Sequence, residues 1–412
     1  MKGRQRFLTI FTLGLLSALG PFSIDMYLPG FPSIAADLNT TVAHVALSLS
    51  SYFIGISIGQ LFYGPLLDRF GRKIPLYVGL CIYLAASIWS VFVHTADTLI
   101  IARFVQAIGG CAGMVAARAL VRDLFPVSEN AKVFSLLMLV IAVSPIVAPT
   151  VGGYMTSIFG WHSIFIVLSI IVLINILTVY AWLPAGRPPD TKKSLMPGPI
   201  IKSFWEVFKV PQFYTYTLTG SFAASGLYAY IAGSPYIFME LYGVSEKEYG
   251  WIFGFIALGL ISASQLNTVL LRKHSSEQIT KVTLICQVIT GSLLLGGAYF
   301  HLLGLYSTIL LAFLFLSTQG FAFPNTSALS IAPFSKNAGT ASALMGAIQL
   351  GIGAGTTAIV SILSNHSELP MTGVMFGCAF TSLMILLIGR MIIRKKEMVE
   401  EAPVRYGLSA ES

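Results

Sequence analysis

With 412 residues, a net charge of +8, 55% hydrophobic residues and only 10% charged ones, the chain is not an ordinary soluble protein, where about a quarter of residues are charged. The surplus cations make no nucleic-acid surface, because they sit singly or in small groups at the ends of apolar runs. Cys81, Cys111, Cys286 and Cys378 fall inside such runs without metal-ligand spacing, which excludes a disulfide framework or a cysteine metal site.

Lys2, Arg4 and Arg6 precede an apolar run that begins at Phe7. The run is too long for a secretory signal and lacks a small-x-small cleavage site, so it is expected to be an uncleaved first membrane helix. Apolar runs read against glycine, proline and charge give about twelve expected spans: 7–30, 42–64, 74–94, 98–121, 131–157, 162–183, 212–238, 247–270, 278–300, 306–329, 338–363 and 371–393. Each approaches or exceeds the ~20 residues that cross a hydrocarbon layer of ~30 Å. Cations crowd alternate loops: Lys2 to Arg6, Asp68 to Lys73, Arg122 with Lys132, Arg187 to Lys209, Arg272 to Lys281, Lys336, and Arg390 to Lys396. In the opposite set Lys247 is the clear cation. That asymmetry predicts a multi-pass protein of a bacterial inner membrane with both termini and the basic loops in the cytoplasm.

The one long break opens after Leu183 with Pro184-Ala-Gly186-Arg-Pro188-Pro189-Asp190. It predicts an N-terminal six-helix bundle at 1–184, a cytoplasmic linker at 185–211, a C-terminal bundle at 212–394 and a cytoplasmic tail at 395–412. Within the linker Ile201, Phe204, Trp205 and Phe208 share a helical face beside Lys202 and Lys209, the pattern of a short interfacial helix.

Gly64-Pro-Leu-Leu-Asp68-Arg69-Phe-Gly71-Arg72-Lys73 is a charged, glycine-bearing loop wedged between two apolar runs. It resembles, at every charged and glycine position, the signature loop of the major facilitator superfamily. The chain is therefore identified as all-α and polytopic, with about twelve transmembrane helices in two six-helix bundles around a central cavity. The resemblance implies a gating role for Gly64, Asp68, Arg69, Gly71, Arg72 and Lys73. Asp123 is expected to join that cluster, with the N-terminal end of the span near 338–340 as a partner and Arg118 either joining it or snorkelling.

Asp25 is a carboxylate one to two turns inside the first span, a costly place for a charge unless it is paired or protonated, and so a candidate proton carrier. Arg103 lies at matching depth in the fourth span and is the candidate counter-charge. Arg103-Phe-Val-Gln106-Ala-Ile-Gly109-Gly110 resembles the superfamily's helix-four motif, whose arginine is tied to proton transfer, while its glycines equally suit close packing. Gln106 is a candidate cavity residue or a bond to the neighbouring helix. Ser144-Pro145-Ile-Val-Ala148-Pro149-Thr-Val-Gly152-Gly153 resembles the antiporter motif, with serine and alanine in place of two glycines, and implies export.

Ser225 to Phe238, with Asp25-Met-Tyr27-Leu-Pro29, resembles the bicyclomycin-resistance (Bcr/CflA) branch of drug:proton antiporters. Tyr27, Tyr228, Tyr230, Tyr236, Asn325 and Gln349, with Tyr52 and Phe53, are candidate walls of a cavity for amphipathic drugs. The expected function is multidrug efflux driven by protons, with a metabolite transporter for a nucleoside, sugar or siderophore as the alternative. No nucleotide loop, metal cluster or nucleophile triad appears in the sequence, so neither an enzyme nor a cofactor is expected. The expected partners are a small-molecule drug, protons and lipid, with the chain a monomer.

Overall fold

The computed structural model describes residues 3–190, 197–334, 338–365 and 367–407. The expected basic residues Lys2, Lys192, Lys193 and Lys336 lie outside them. The described chain is helical: α1 (Gly3–Asp25), α2 (Phe31–Asp37), α3 (Val42–Arg69), α4 (Lys73–Val91), α5 (Ala96–Leu124), α6 (Val127–Phe159) and α7 (His162–Trp182) form the first half. After the linker come α8 (Pro197–Phe208), α9 (Pro211–Pro235), α10 (Glu246–Leu270), α11 (Ser276–Tyr299), α12 (Leu305–Ile331), α13 (Ala338–Ile362) and α14 (Leu369–Gly407).

Among the described residues, eleven segments are long and apolar enough to cross a membrane. The twelfth expected span is α9, whose threonines, serines, glycines and tyrosines make it too polar for that class although its 25 residues are long enough. Helix starts follow local chemistry. The Thr41 and Thr95 side chains accept from His44 N and Thr98 N, and Ser245 and Ser275 form reciprocal capping boxes with Glu248 and Gln278.

The first expected span is not one helix. α1 stops at Asp25, a 3₁₀ turn over Leu28–Gly30 follows, and α2 starts at Phe31. Pro29 and Pro32 lack the N–H that would continue the ladder, so the chain breaks where the carboxylate sits.

Two groups of six helices result. α5 lies against α1, α3 and α4, while α12 lies against α9, α10 and α11. The groups meet along two seams, α3 with α13 and α6 with α10. Across the first seam Ser50 Oγ and Thr357 Oγ1 share a hydrogen bond of 2.7 Å, and Ser57 Oγ donates to Ala347 O at 2.8 Å. Across the second, Thr150 Oγ1 donates to Gly250 O at 3.5 Å, and Ser33 Oγ donates to Glu246. α8 tucks Val207 into a small cluster with Phe213 and Ala341, while Ile201 and Trp205 stay exposed, as an interfacial helix requires.

Candidate functional site

Asp25 ends α1 with 5% of its surface exposed, and no described residue gives it a hydrogen bond or an ion pair. Tyr249 of α10 lies close enough to feel its charge. The acid therefore sits where the two bundles meet. An ionised carboxylate in that place has nothing to offset its lost hydration.

Arg103 shares its depth without pairing with it. The guanidinium is fully buried; Nη2 donates to Ser23 O at 2.7 Å and Nη1 donates to Gln106 Oε1. Its plane stands 4.2 Å from the Tyr52 ring and 4.6 Å from the Tyr27 ring, so two aromatic faces hold the charge in place of a carboxylate. Depth matching from sequence brings both residues to one level; the rotation of α5 turns the arginine into the N-terminal bundle. Gln106 goes with it, donating to Ser87 Oγ at 2.7 Å and keeping no surface for a solute. Ser23, Tyr83 and Ser87 complete this network, with Ser23 Oγ and Tyr83 Oη 2.5 Å apart. Isolated serines in apolar runs gave no sequence signal for it.

The expected cavity residues scatter. Tyr27 is buried with Oη 2.9 Å from Ser48 Oγ, and Tyr230 is buried against Phe253 with its hydroxyl unpartnered. Tyr228 crosses the seam to Phe53, with ring centroids 4.8 Å apart. Tyr236 lines a crevice of about 330 Å³ at the end opposite the basic loops. Asn325 is buried and donates to Asn267 Oδ1 at 2.7 Å, tying α12 to α10. Gln349 alone of the set lines a second cavity, near the basic end. In this conformation the set does not form one wall.

The loop from Asp68 to Lys73 does assemble. Arg72 donates to Asp68 at 2.7 Å and to Asp123 at 2.6 Å, and the Arg72 and Asp123 side chains are each 8% exposed. Burial works to lower the Arg72 pKa, but the hydrogen bonds and charges of Asp123 and Asp68 overcome it and hold the group above its ordinary value. Arg72 therefore stays charged throughout the working range. Gly71 takes φ +79°, a conformation that favours glycine, and the linker packs close over it, 3.3 Å separating a Cβ built there from Pro189 Cγ. Asp190 N donates to Asp68 O at 3.0 Å, closing the linker over the loop. Gly64 lies in open space inside α3, where nothing in this conformation requires glycine. Arg122 reaches the start of α13, 3.9 Å from where a Gly339 Cβ would stand. Arg118 is exposed and joins neither Asp68 nor Asp123.

Asp123→Asn is expected to cut transport about tenfold or more, since stripping one partner from a mostly buried pair costs on the order of 2–5 kcal/mol. Drug binding at equilibrium should change little, because the cluster lies apart from both cavities. A loss of binding as large as the loss of transport would refute a gating role.

The α6 motif forms the second seam. A Cβ on Gly153 would land on the Glu246 carbonyl of α10 and one on Gly250 would stand 2.8 Å from Pro149 O, while a Cβ on Gly152 would land on the Met26 carbonyl within its own bundle. Ala148 is fully buried, and Ser144 donates to Val140 O at 2.9 Å. Pro145 and Pro149 lie within the helix, so their missing N–H groups loosen the ladder beside the contact.

Comparison with known proteins places this geometry. The family model described as Major Facilitator Superfamily matches residues 13–358. An uncharacterized MFS-type transporter, YdgK, of Bacillus subtilis is 34% identical over 91% of this chain and 93% of its own. A bicyclomycin resistance protein homolog of Haemophilus influenzae is 31% identical over 92% and 96%, and the multidrug resistance protein D of Escherichia coli is 28% identical over 95% and 96%. Among solved structures, a bacterial homolog of the human lysosomal transporter Spinster, inward-facing and occupied, superposes with TM-score 0.70 at 15% identity, covering 94% of this chain and 96% of its own.

Proposed function

Because the chain belongs to the Major Facilitator Superfamily, we propose that it is a secondary transporter exporting drugs or other small amphipathic molecules in exchange for protons. The resistance names carried by two of its relatives support drug export. Asp25 carries the coupling: a buried acid with neither cation nor hydrogen-bond donor, at the junction of the bundles, next to the glycine face of α6. Protonation removes the cost of its charge and favours one arrangement of the halves, while a solute in the cavity favours the other. The two ligands thus compete for conformations. The α6–α10 seam closes one side, and the Asp68–Arg72–Asp123 cluster braces the other.

The protein sits in a bacterial inner membrane with its basic loops inside. Arg6 of α1 reaches Glu129 of α6 at 3.0 Å, so two basic-side segments share one end of the molecule as that topology requires. An alkaline phosphatase fusion after Lys396 should be inactive, and an active one would overturn the orientation. Export itself is tested by expression in an efflux-deficient host. Resistance to several unrelated amphipathic drugs, abolished by a protonophore, is the expected result. Resistance that survives collapse of the proton gradient would refute proton-driven efflux.

A further inference from the structure

We propose that α8 is a docking site for anionic phospholipid headgroups of the cytoplasmic leaflet, and that a docked headgroup braces the basic-side gate through α13. The inference rests on the orientation with the basic loops inside and adds a lipid partner to it. At about 3.6 residues per turn, the side chains of α8 fall into four consecutive sectors around its axis. Ser203, Val207, Phe204 and Phe208 form the first and face the protein; Val207 is buried and the others are half-buried. Ile201 and Trp205 come next, one turn apart, 63% and 55% exposed although both are large and apolar. Lys209 and Lys202 follow, both exposed, and the exposed Glu206 comes last. A helix lying on a bilayer beside its own bundle meets protein, acyl chains, headgroups and water in that order.

The two lysines are free to bind. Neither has an ion-pair partner among the described residues, and Glu206 pairs with neither. Lys209 N donates to Trp205 O at 3.1 Å, and its Nζ stands 5.6 Å from the Trp205 ring centroid. The indole is the side chain that settles at the boundary of hydrocarbon and headgroup, so the ammonium above it lies at phosphate level. Phosphatidylcholine balances its own phosphate with an ammonium, whereas an anionic lipid brings a charge that the two lysines complete.

The opposite face of α8 carries the consequence. Val207 packs with Phe213 and with Ala341, in the first turn of α13. Arg122 reaches the same turn from the N-terminal bundle, near Gly339. At the other end of the linker, Asp190 N donates to Asp68 O in the signature loop. The linker therefore touches the basic-side closure from both bundles. A headgroup that fixes α8 at the surface holds the end of α13 where these contacts form, and so favours that closure.

The test uses the full chain in liposomes of phosphatidylcholine, with or without phosphatidylglycerol. A bimane at Ile201→Cys, in a background with the four native cysteines replaced by alanine, reports docking. Its quencher is a nitroxide on the acyl chain of one lipid or the other. The anionic label should quench roughly fivefold more strongly, the worth of one cation near an anionic surface. That preference should vanish in Lys202→Gln/Lys209→Gln and survive in Lys202→Arg/Lys209→Arg. Uphill ethidium transport should rise roughly threefold with phosphatidylglycerol in the wild type and stay flat in the glutamine variant. Equal rates of the two proteins in phosphatidylcholine alone would show the variant to be folded. Equal quenching by both lipids in the wild type, or a preference that survives in the glutamine variant, would overturn the docking site. A preference without any lipid dependence of transport would overturn the link to the gate. Wild-type protein that carries no ethidium in either lipid would count against the efflux reading, while quenching still decides the docking site.

Discussion

Asp25→Asn is expected to abolish drug-driven proton release and uphill efflux in liposomes while drug binding and downhill exchange persist. Asparagine keeps the size of the side chain and removes its titration, fixing a neutral group where the cycle needs one that gains and loses a proton. Folding should tolerate the change, because the carboxylate has no partner among the described residues to lose. Burying an unpaired charge at membrane depth costs a few kcal/mol, a cost the amide avoids. Unchanged proton coupling in this variant would defeat Asp25 as the carrier and leave the fold assignment intact. Arg103→Lys provides the contrast. The guanidinium lies between Tyr52 and Tyr27 and bonds Ser23 and Gln106, a geometry that an ammonium does not reproduce. Transport should drop without a shift in its pH profile. A shifted profile would show that Arg103 acts on Asp25 through space after all.

Gly153→Val should be almost as damaging, by a different route. A side chain at this position runs into the Glu246 backbone, which has no rotamer to yield, so α6 must withdraw from α10. Overpacking of this kind costs roughly 1–3 kcal/mol, and a conformational equilibrium biased by that amount moves by about 5- to 150-fold. The conformation that closes the α6–α10 seam loses population. Two readouts follow: uphill efflux falls, and a Ser33→Cys reporter beside Glu246 becomes more reactive toward an impermeant maleimide. Gly64→Ala serves as the neutral control, since open space surrounds that position. Full efflux with an unreactive reporter in Gly153→Val would show that the seam tolerates the bulk.

Much of the architecture was legible in the chain. Spans separate from loops because a bilayer core excludes unsatisfied backbone, and only long apolar helices answer that demand. α9 obeyed the pattern despite its polarity, because its hydroxyl groups do not prevent a helix once neighbouring helices cover them. The break at Asp25 was written in Pro29 and Pro32, yet hydropathy reads straight through it, since Met26, Tyr27 and Leu28 are as apolar as the helix before them. Asp68 stands four residues before Arg72, a local relation, and Asp123, also expected in the cluster, reaches the same guanidinium from another helix.

The partner of Arg103 was not legible. Depth follows from counting residues, because rise per residue is fixed. Azimuth depends on how α5 is rotated by its contacts, and those involve side chains 50 to 80 positions away: Tyr52, Tyr27 and the Ser23 carbonyl. For the same reason the tyrosines of the seventh span do not share a surface. Tyr228 faces the seam, Tyr230 the core of its own bundle and Tyr236 a crevice at the far end. Thus the sequence by itself determined which segments cross the membrane, where the chain divides and that an acid lies buried, all of which follow from local solvation. The tertiary structure alone decided which polar groups meet, because an ion pair or an empty hydroxyl exists between helices that only their packing brings together.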